Sequence, residues 1–213
     1  MIPIDNHLTT CYNQITTKEV GMMDWNIPGT VLQIPREQAH HIPDQFASMF
    51  FGGGMVLSQV ASITGLESYT VQNWVKRGYL TAPVGKRYTL RQFCRIVNIN
   101  MLRGALSLDS ICNLLGYVNG QLNDEKDDII DDAQLYFMFV RLALRMKELH
   151  NPEEQILRLD EILADYKEPY PGATDRVRKA LQIMITAWLA TRMRQEAERL
   201  LCEITESEKG KQL

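Results

Sequence analysis

The chain contains no apolar run long enough to cross a membrane as a helix, which needs about 20 residues. Its densest apolar stretch, residues 133–140, is bounded by Asp132 and Arg141. No secretory leader is legible, because Asp5, Asn6 and His7 interrupt the N-terminus. Cysteine is scarce: Cys11, Cys94, Cys112 and Cys202 lie far apart and form no C-x-x-C pair. That argues against a zinc site and predicts free or buried thiols in a reducing compartment. These absences together predict a cytoplasmic protein.

The motifs of common chemistries are missing as well. There is no H-E-x-x-H, no G-x-S-x-G and no dinucleotide fingerprint. Gly52-Gly53-Gly54 is followed by Met55-Val56-Leu57, where a phosphate-cradling loop would need Lys-Ser or Lys-Thr, so it reads as a helix stop. The acidic run at 124–132 lacks the alternating ligands and fixed glycine of a calcium loop. It reads as acids favoured at a helix N-terminus. His40 and His41 are adjacent and would face different directions on a helix, so they make no metal pair. No catalytic residue, metal ligand or cofactor is assigned, and the chain is not read as an enzyme.

What is present centres on residues 57–88, LSQVASITGLESYTVQNWVKRGYLTAPVGKRY. Val60, Ala61 and Leu66 give a first short helix and its turn an apolar inner face. Gly65 supplies the positive φ of a tight inter-helix turn, and Ser68 is an apt N-cap. In the second helix Val71, Trp74 and Val75 recur at i, i+3, i+4 and point inward. Tyr69, Gln72, Asn73 and Lys76 form the opposite row. Two amides, an aromatic and a cation can meet base edges and phosphates in a major groove. Gly78 ends the helix, Pro83 and Gly85 mark a turn, and Lys86, Arg87 and Tyr88 follow as a small basic wing.

Charge supports that focus. The whole chain carries −3. Between Val56 and Leu108, however, Lys76, Arg77, Lys86, Arg87, Arg91, Arg95 and Arg103 face only Glu67, so this window carries +6 and the remainder −9. A basic head on an acidic body suits docking to DNA through one face.

Around this head the chain reads as follows. Residues 1–42 form a partly irregular N-terminal arm with a turn at Ile27-Pro28-Gly29. A short helix from Pro43 to Phe51 places Phe46, Met49 and Phe50 on one face, and residues 43–118 make the head. Thr89 and Gln92 form a capping box for a helix over 90–103. In it Arg91, Arg95 and Asn98 share a face that meets phosphates or is simply solvated. Ser107 caps the next helix, which Gly116 ends. After Asn119-Gly120 the composition shifts, and residues 119–213 read as a helical subdomain with its own core. Helices are expected from about Asp128 to Leu149, from Asn151-Pro152 onward, and from a Thr174 cap to about Ser207. In the last helix Ile183, Ala190, Ala197 and Ile204 recur every seven residues, with Ala187 and Leu201 beside them and Arg194 interrupting. That is a coiled-coil-like seam or a packed bundle helix.

TVQNWVKRGYL followed by GKRYTLRQF resembles the MerR family, where a Thr-Leu-Arg-Tyr-Tyr helix runs into Arg-Gly-Leu-Leu and then a basic wing ending in Arg-Tyr. INMLRGALSLDSICNLL continues the resemblance to Leu115. The chain departs from the pattern at Gln72 and Asn73, so the family's base preference is not carried over. VLSQVASITGL, QNWVKRGYL, INMLRG, LLGYVNG and IDDAQLY look like an uncharacterised bacterial family of unknown function with a MerR-like head, over roughly residues 40–200. The fold expected is mainly α, a MerR-like winged helix-turn-helix head followed by a C-terminal helical bundle.

The resemblance implies a transcriptional regulator that binds double-stranded DNA as a homodimer, with a small-molecule or protein effector acting on the C-terminal part. The expected contact residues are Ser68, Tyr69, Thr70, Gln72, Asn73, Lys76, Arg77, Lys86, Arg87, Tyr88 and Arg91. The alternative is an architectural DNA-binding or protein-interaction module without promoter-specific regulation, as in MerR-like excisionases.

Overall fold

The computed structural model describes residues 24–124, 126–146 and 152–209. Residues 1–23 of the expected arm, Cys11 and the Asn151 helix start lie outside them. Among the described residues the protein is mainly helical, with two two-stranded sheets.

The described chain opens with a hairpin that the sequence hardly announces. Strand β1 (Asp24–Asn26) pairs antiparallel with β2 (Gln33–Pro35), Trp25 opposite Ile34. The turn expected at Ile27-Pro28-Gly29 joins them, closed by the Ile27 N–H donating to the Leu32 carbonyl. Trp25 and Ile27 are buried in the main core, so this part of the arm is structural. A 3₁₀ helix (Arg36–His41) leads into α1 (Ile42–Met49), with Pro43 in its first turn. Phe46 is fully buried, its ring 5.4 Å from Phe93 and 6.0 Å from Tyr136. Phe50 caps the helix and packs on Phe93, whereas Met49, expected on the same inner face, is exposed.

Strand β3 (Met55–Val56), α2 (Leu57–Thr64), α3 (Ser68–Lys76) and β4 (Arg87–Tyr88) make the compact unit around the expected head. Helix α4 (Leu90–Leu102) follows, and the Thr89–Gln92 capping box forms in full. From Phe93 to Ile99 every residue of α4 is buried, which makes it the central helix. Helix α5 (Leu108–Asn119) begins at the expected Ser107 cap and runs on through Gly116, because Val118 and Asn119 still have core to occupy.

Helix α6 (Asp132–Arg145) starts later than Asp128. Asp131 is its N-cap, accepting from the N–H groups of Ala133 and Gln134, and the acids before it lie in a loop. Helices α7 (Pro152–Leu163) and α8 (Ala173–Lys209) follow among the described residues. Thr174 does not cap α8. It sits in the first turn, where its N–H and hydroxyl both donate to the Glu168 carboxylate, and Glu168 lies below the usual carboxylate range for that reason.

The buried side chains from Trp25 to Leu189 form one continuous cluster. The core expected after Asn119-Gly120 is continuous with that of the head, since α4 packs along α6. Burial along α8 stops at Leu189: Ala190, Ala197, Leu200 and Leu201 are exposed.

Candidate nucleic-acid interface

Helices α2 and α3 are joined by three residues. Gly65 takes φ +69, and a Cβ there would lie 2.6 Å from Val31 Cγ1, so both conformation and space select glycine. The N-cap of α3 is Glu67, with no side-chain cap bond, and Ser68 is the first helical residue, one position from expectation. Val71 and Trp74 are buried and Val75 is half-buried. That fixes the rotation of α3 and turns the expected row outward. Tyr69 is 64% exposed, and Gln72, Asn73 and Lys76 are exposed with it. Ser68 and Thr70 are half-buried at its start.

The basic segment after α3 is held by strand pairing. Met55 lies opposite Tyr88 and Val56 opposite Arg87, so the chain just before α2 forms one side of the sheet. Val84 bridges to Arg87 across a two-residue turn in which Gly85 (φ +57) and Lys86 (φ +62) both have positive φ. Two such residues in succession are what a type I′ hairpin turn requires. Lysine is a costly choice there, by about 1–2 kcal/mol, because its Cβ crowds the backbone. It is the one non-glycine residue with positive φ among those described. Val84, beside it, is 81% exposed. Arg87 is exposed and anchors its guanidinium on the Gly54 carbonyl at 2.7 Å. Tyr88 is turned inward, 3% exposed, and burial raises its phenol pKa, so it supports the hairpin from beneath.

Val56, Leu57, Ser58, Gln72, Val75, Lys76, Pro83, Lys86 and Tyr88 line one groove of about 650 Å³ between α3 and this hairpin. Of the expected contacts, Gln72, Lys76, Lys86 and Tyr88 therefore share a single concavity. Neither Lys76 nor Lys86 has an ion-pair partner among the described residues.

The remaining cations are differently placed. Arg77 donates to the Tyr79 hydroxyl, which donates to Asp109, each at 2.5 Å. The bond to Asp109 raises the Tyr79 pKa. Arg91 and Arg95 do not lie solvated on an open face but pair with acids from beyond Gly120. Arg91 Nη2 is 2.7 Å from Asp128 Oδ2, and Arg95 Nη1 is 3.3 Å from Asp132 Oδ2. Asn98 on the same face donates to the Asp132 main-chain carbonyl. The acids after Asn119-Gly120 thus fold back onto α4 and neutralise two of the seven head cations. Burial raises Asp128 to about 6, with Arg91 opposing and Asp132 adding, and burial raises Asp132 likewise against Arg95 and Arg91. The surface that remains basic comprises Lys76, Arg77, Lys86, Arg87 and Arg103.

Among the described residues no cluster of His, Cys, Asp or Glu could hold a metal ion, and no helix is long and apolar enough to cross a membrane. Residues 44–139 match the model of a family described as Domain of unknown function (DUF1836). The match runs from α1 into α6 and so takes in the groove and the Arg–Asp cluster. It meets the expectation of a family of unknown function, over a shorter span than the sequence phrases suggest. No curated protein and no solved structure matches the chain.

Proposed function

We propose that residues 57–88 are a winged helix-turn-helix of MerR-like type and that the protein is a DNA-binding transcriptional regulator. The observation that carries this reading is the shared exposure of Tyr69, Gln72, Asn73 and Lys76 on α3 beside a strained hairpin that holds out Lys86 and Arg87. In it α3 enters the major groove of double-stranded DNA. Gln72 and Asn73 bond bidentately to adenine edges, while Lys76, Lys86 and Arg87 take phosphates. The regulator works as a homodimer, because two half-sites read by two heads need a two-fold axis. The exposed Ala190, Ala197 and Ile204 of α8, on the seven-residue recurrence, with Leu201 beside them, supply the seam.

Selection of bound fragments from random genomic DNA tests the reading, together with sedimentation of the full chain at tens of micromolar (an order-of-magnitude choice bracketing common dimer affinities). One recovered sequence class and a dimer are expected. A monomer that retains no DNA removes it. The second reading, an architectural module, draws on Val84: an apolar side chain at the tip of a basic hairpin suits a wedge between base steps. Sequence-tolerant recovery of bent fragments favours that reading.

A further inference from the structure

The groove between α3 and the hairpin has the wrong lining for phosphate alone. Its floor and walls are chiefly hydrocarbon: Val56, Leu57, Val75, Pro83 and the ring of Tyr88. Its two cations, Lys76 and Lys86, stand on opposite walls, one on the last turn of α3 and the other at the hairpin turn. A volume of about 650 Å³ falls within the roughly 300–1,000 Å³ range of small-molecule sites, which are mostly apolar with a few placed polar groups. Lys86 keeps a backbone conformation that lysine disfavours, and the turn carries that cost while presenting its side chain to the groove.

We propose that this groove binds a free amphipathic carboxylate, an acyl chain of medium length. The chain lies on Val56, Leu57, Val75 and Pro83, and the carboxylate lies between Lys76 and Lys86. Charge complementarity selects the anionic end, and the lining selects the hydrocarbon. Binding does not depend on the DNA reading. If that reading holds, the ligand occupies the same two lysines that take phosphates, and it displaces DNA directly without acting through the C-terminal helices.

Titration of the full chain with monomeric octanoate, decanoate and dodecanoate, without DNA, tests the site. Saturable 1:1 binding is expected, tightening about fourfold per added methylene. Decanol should bind at least tenfold more weakly than decanoate. The Lys76→Gln/Lys86→Asn variant should lose at least tenfold for decanoate. Ser58→Phe, which fills the groove from an exposed position, should do the same. Both variants keep the buried face of α3 intact, and a cooperative thermal melt no lower than that of the unsubstituted chain checks this. Equal affinity for decanol and decanoate overturns the proposal. So does retention by either variant, or capture of the protein only by anionic phospholipid vesicles. In a second arm, decanoate should raise the apparent Kd for selected DNA in proportion to its occupancy. Decanoate binding with no DNA binding at all removes the regulator reading and leaves the ligand site standing.

Discussion

Arg95 Nη1 stands 3.3 Å from Asp132 Oδ2, and the two side chains keep only 7% and 2% of their surface. They come from the head's central helix and from the first residue of α6, so the basic and acidic halves of the sequence meet inside the protein. Removing one member leaves the other charged and buried, which costs about 3–5 kcal/mol. Asp132→Ala should therefore lower the urea midpoint by that equivalent, and Arg95→Met with Asp132→Leu should recover most of it.

Asp128 links this cluster to pH. Folding raises its pKa from 3.8 to about 6, so between those values the folded chain binds more protons than the unfolded one. Stability must then fall as pH rises from about 4 to about 6 and stay at the lower level above, a loss of about 2–3 kcal/mol from this group. Asp132, also held up by burial, acts in the same direction. Denaturation at a series of pH values should show the decline, and Asp128→Asn should flatten it.

Lys86 sets stability against binding. Asparagine tolerates the left-handed region, so Lys86→Asn should raise stability by about 1 kcal/mol. It should also weaken all DNA roughly equally and reduce the salt slope by about one contact. Asn73→Ala should behave otherwise, costing about 1–3 kcal/mol on the preferred site and relaxing one base position. Binding titrations over a salt series, paired with melts, separate the two signatures.

Trp74 is the inner anchor of α3, 3% exposed. Trp74→Ala should destabilise the protein by about 3–5 kcal/mol, read by thermal or urea unfolding.

A fragment ending at residue 120 should not melt cooperatively. It would expose the face of α4 that α6 covers and leave Phe46 without Tyr136. A sharp two-state transition for that fragment would contradict the continuous core.

Helices α2, α3 and α4 were legible because their signals are local. Val71 and Trp74 at helical spacing, Gly65 at the turn, and Thr89 with Gln92 at a helix start each act within a few residues. The outward row from Tyr69 to Lys76 follows from the same period. What sequence reasoning missed depends on partners far along the chain. Strand β3 is two residues long and acquires its meaning from β4 about thirty positions later, and so the groove had no local trace. The β1–β2 strands are too short to show alternation. One long-range signal was there to read. Arg91 and Arg95 are four apart, and so are Asp128 and Asp132, a matched spacing that lets two helical cations meet two acids. Tyr88 was expected among the DNA contacts of the wing, but its alternation with Arg87 in β4 turns it inward.

The hairpin at the start of the described chain also sets the order in which the protein can be completed. The Tyr136 hydroxyl donates to the Pro28 carbonyl and the Arg36 guanidinium to the Leu144 carbonyl, each across 108 residues. At about 5–20 residues per second of synthesis, Pro28 waits roughly 5–20 s for its partner to be made. During that interval Trp25, Ile27 and Phe46 have no finished interior to enter. The nascent chain therefore passes through a stage with an apolar leading segment exposed. Slower translation through α6 would prolong that stage, and a holdase that retains residues 24–50 would protect it.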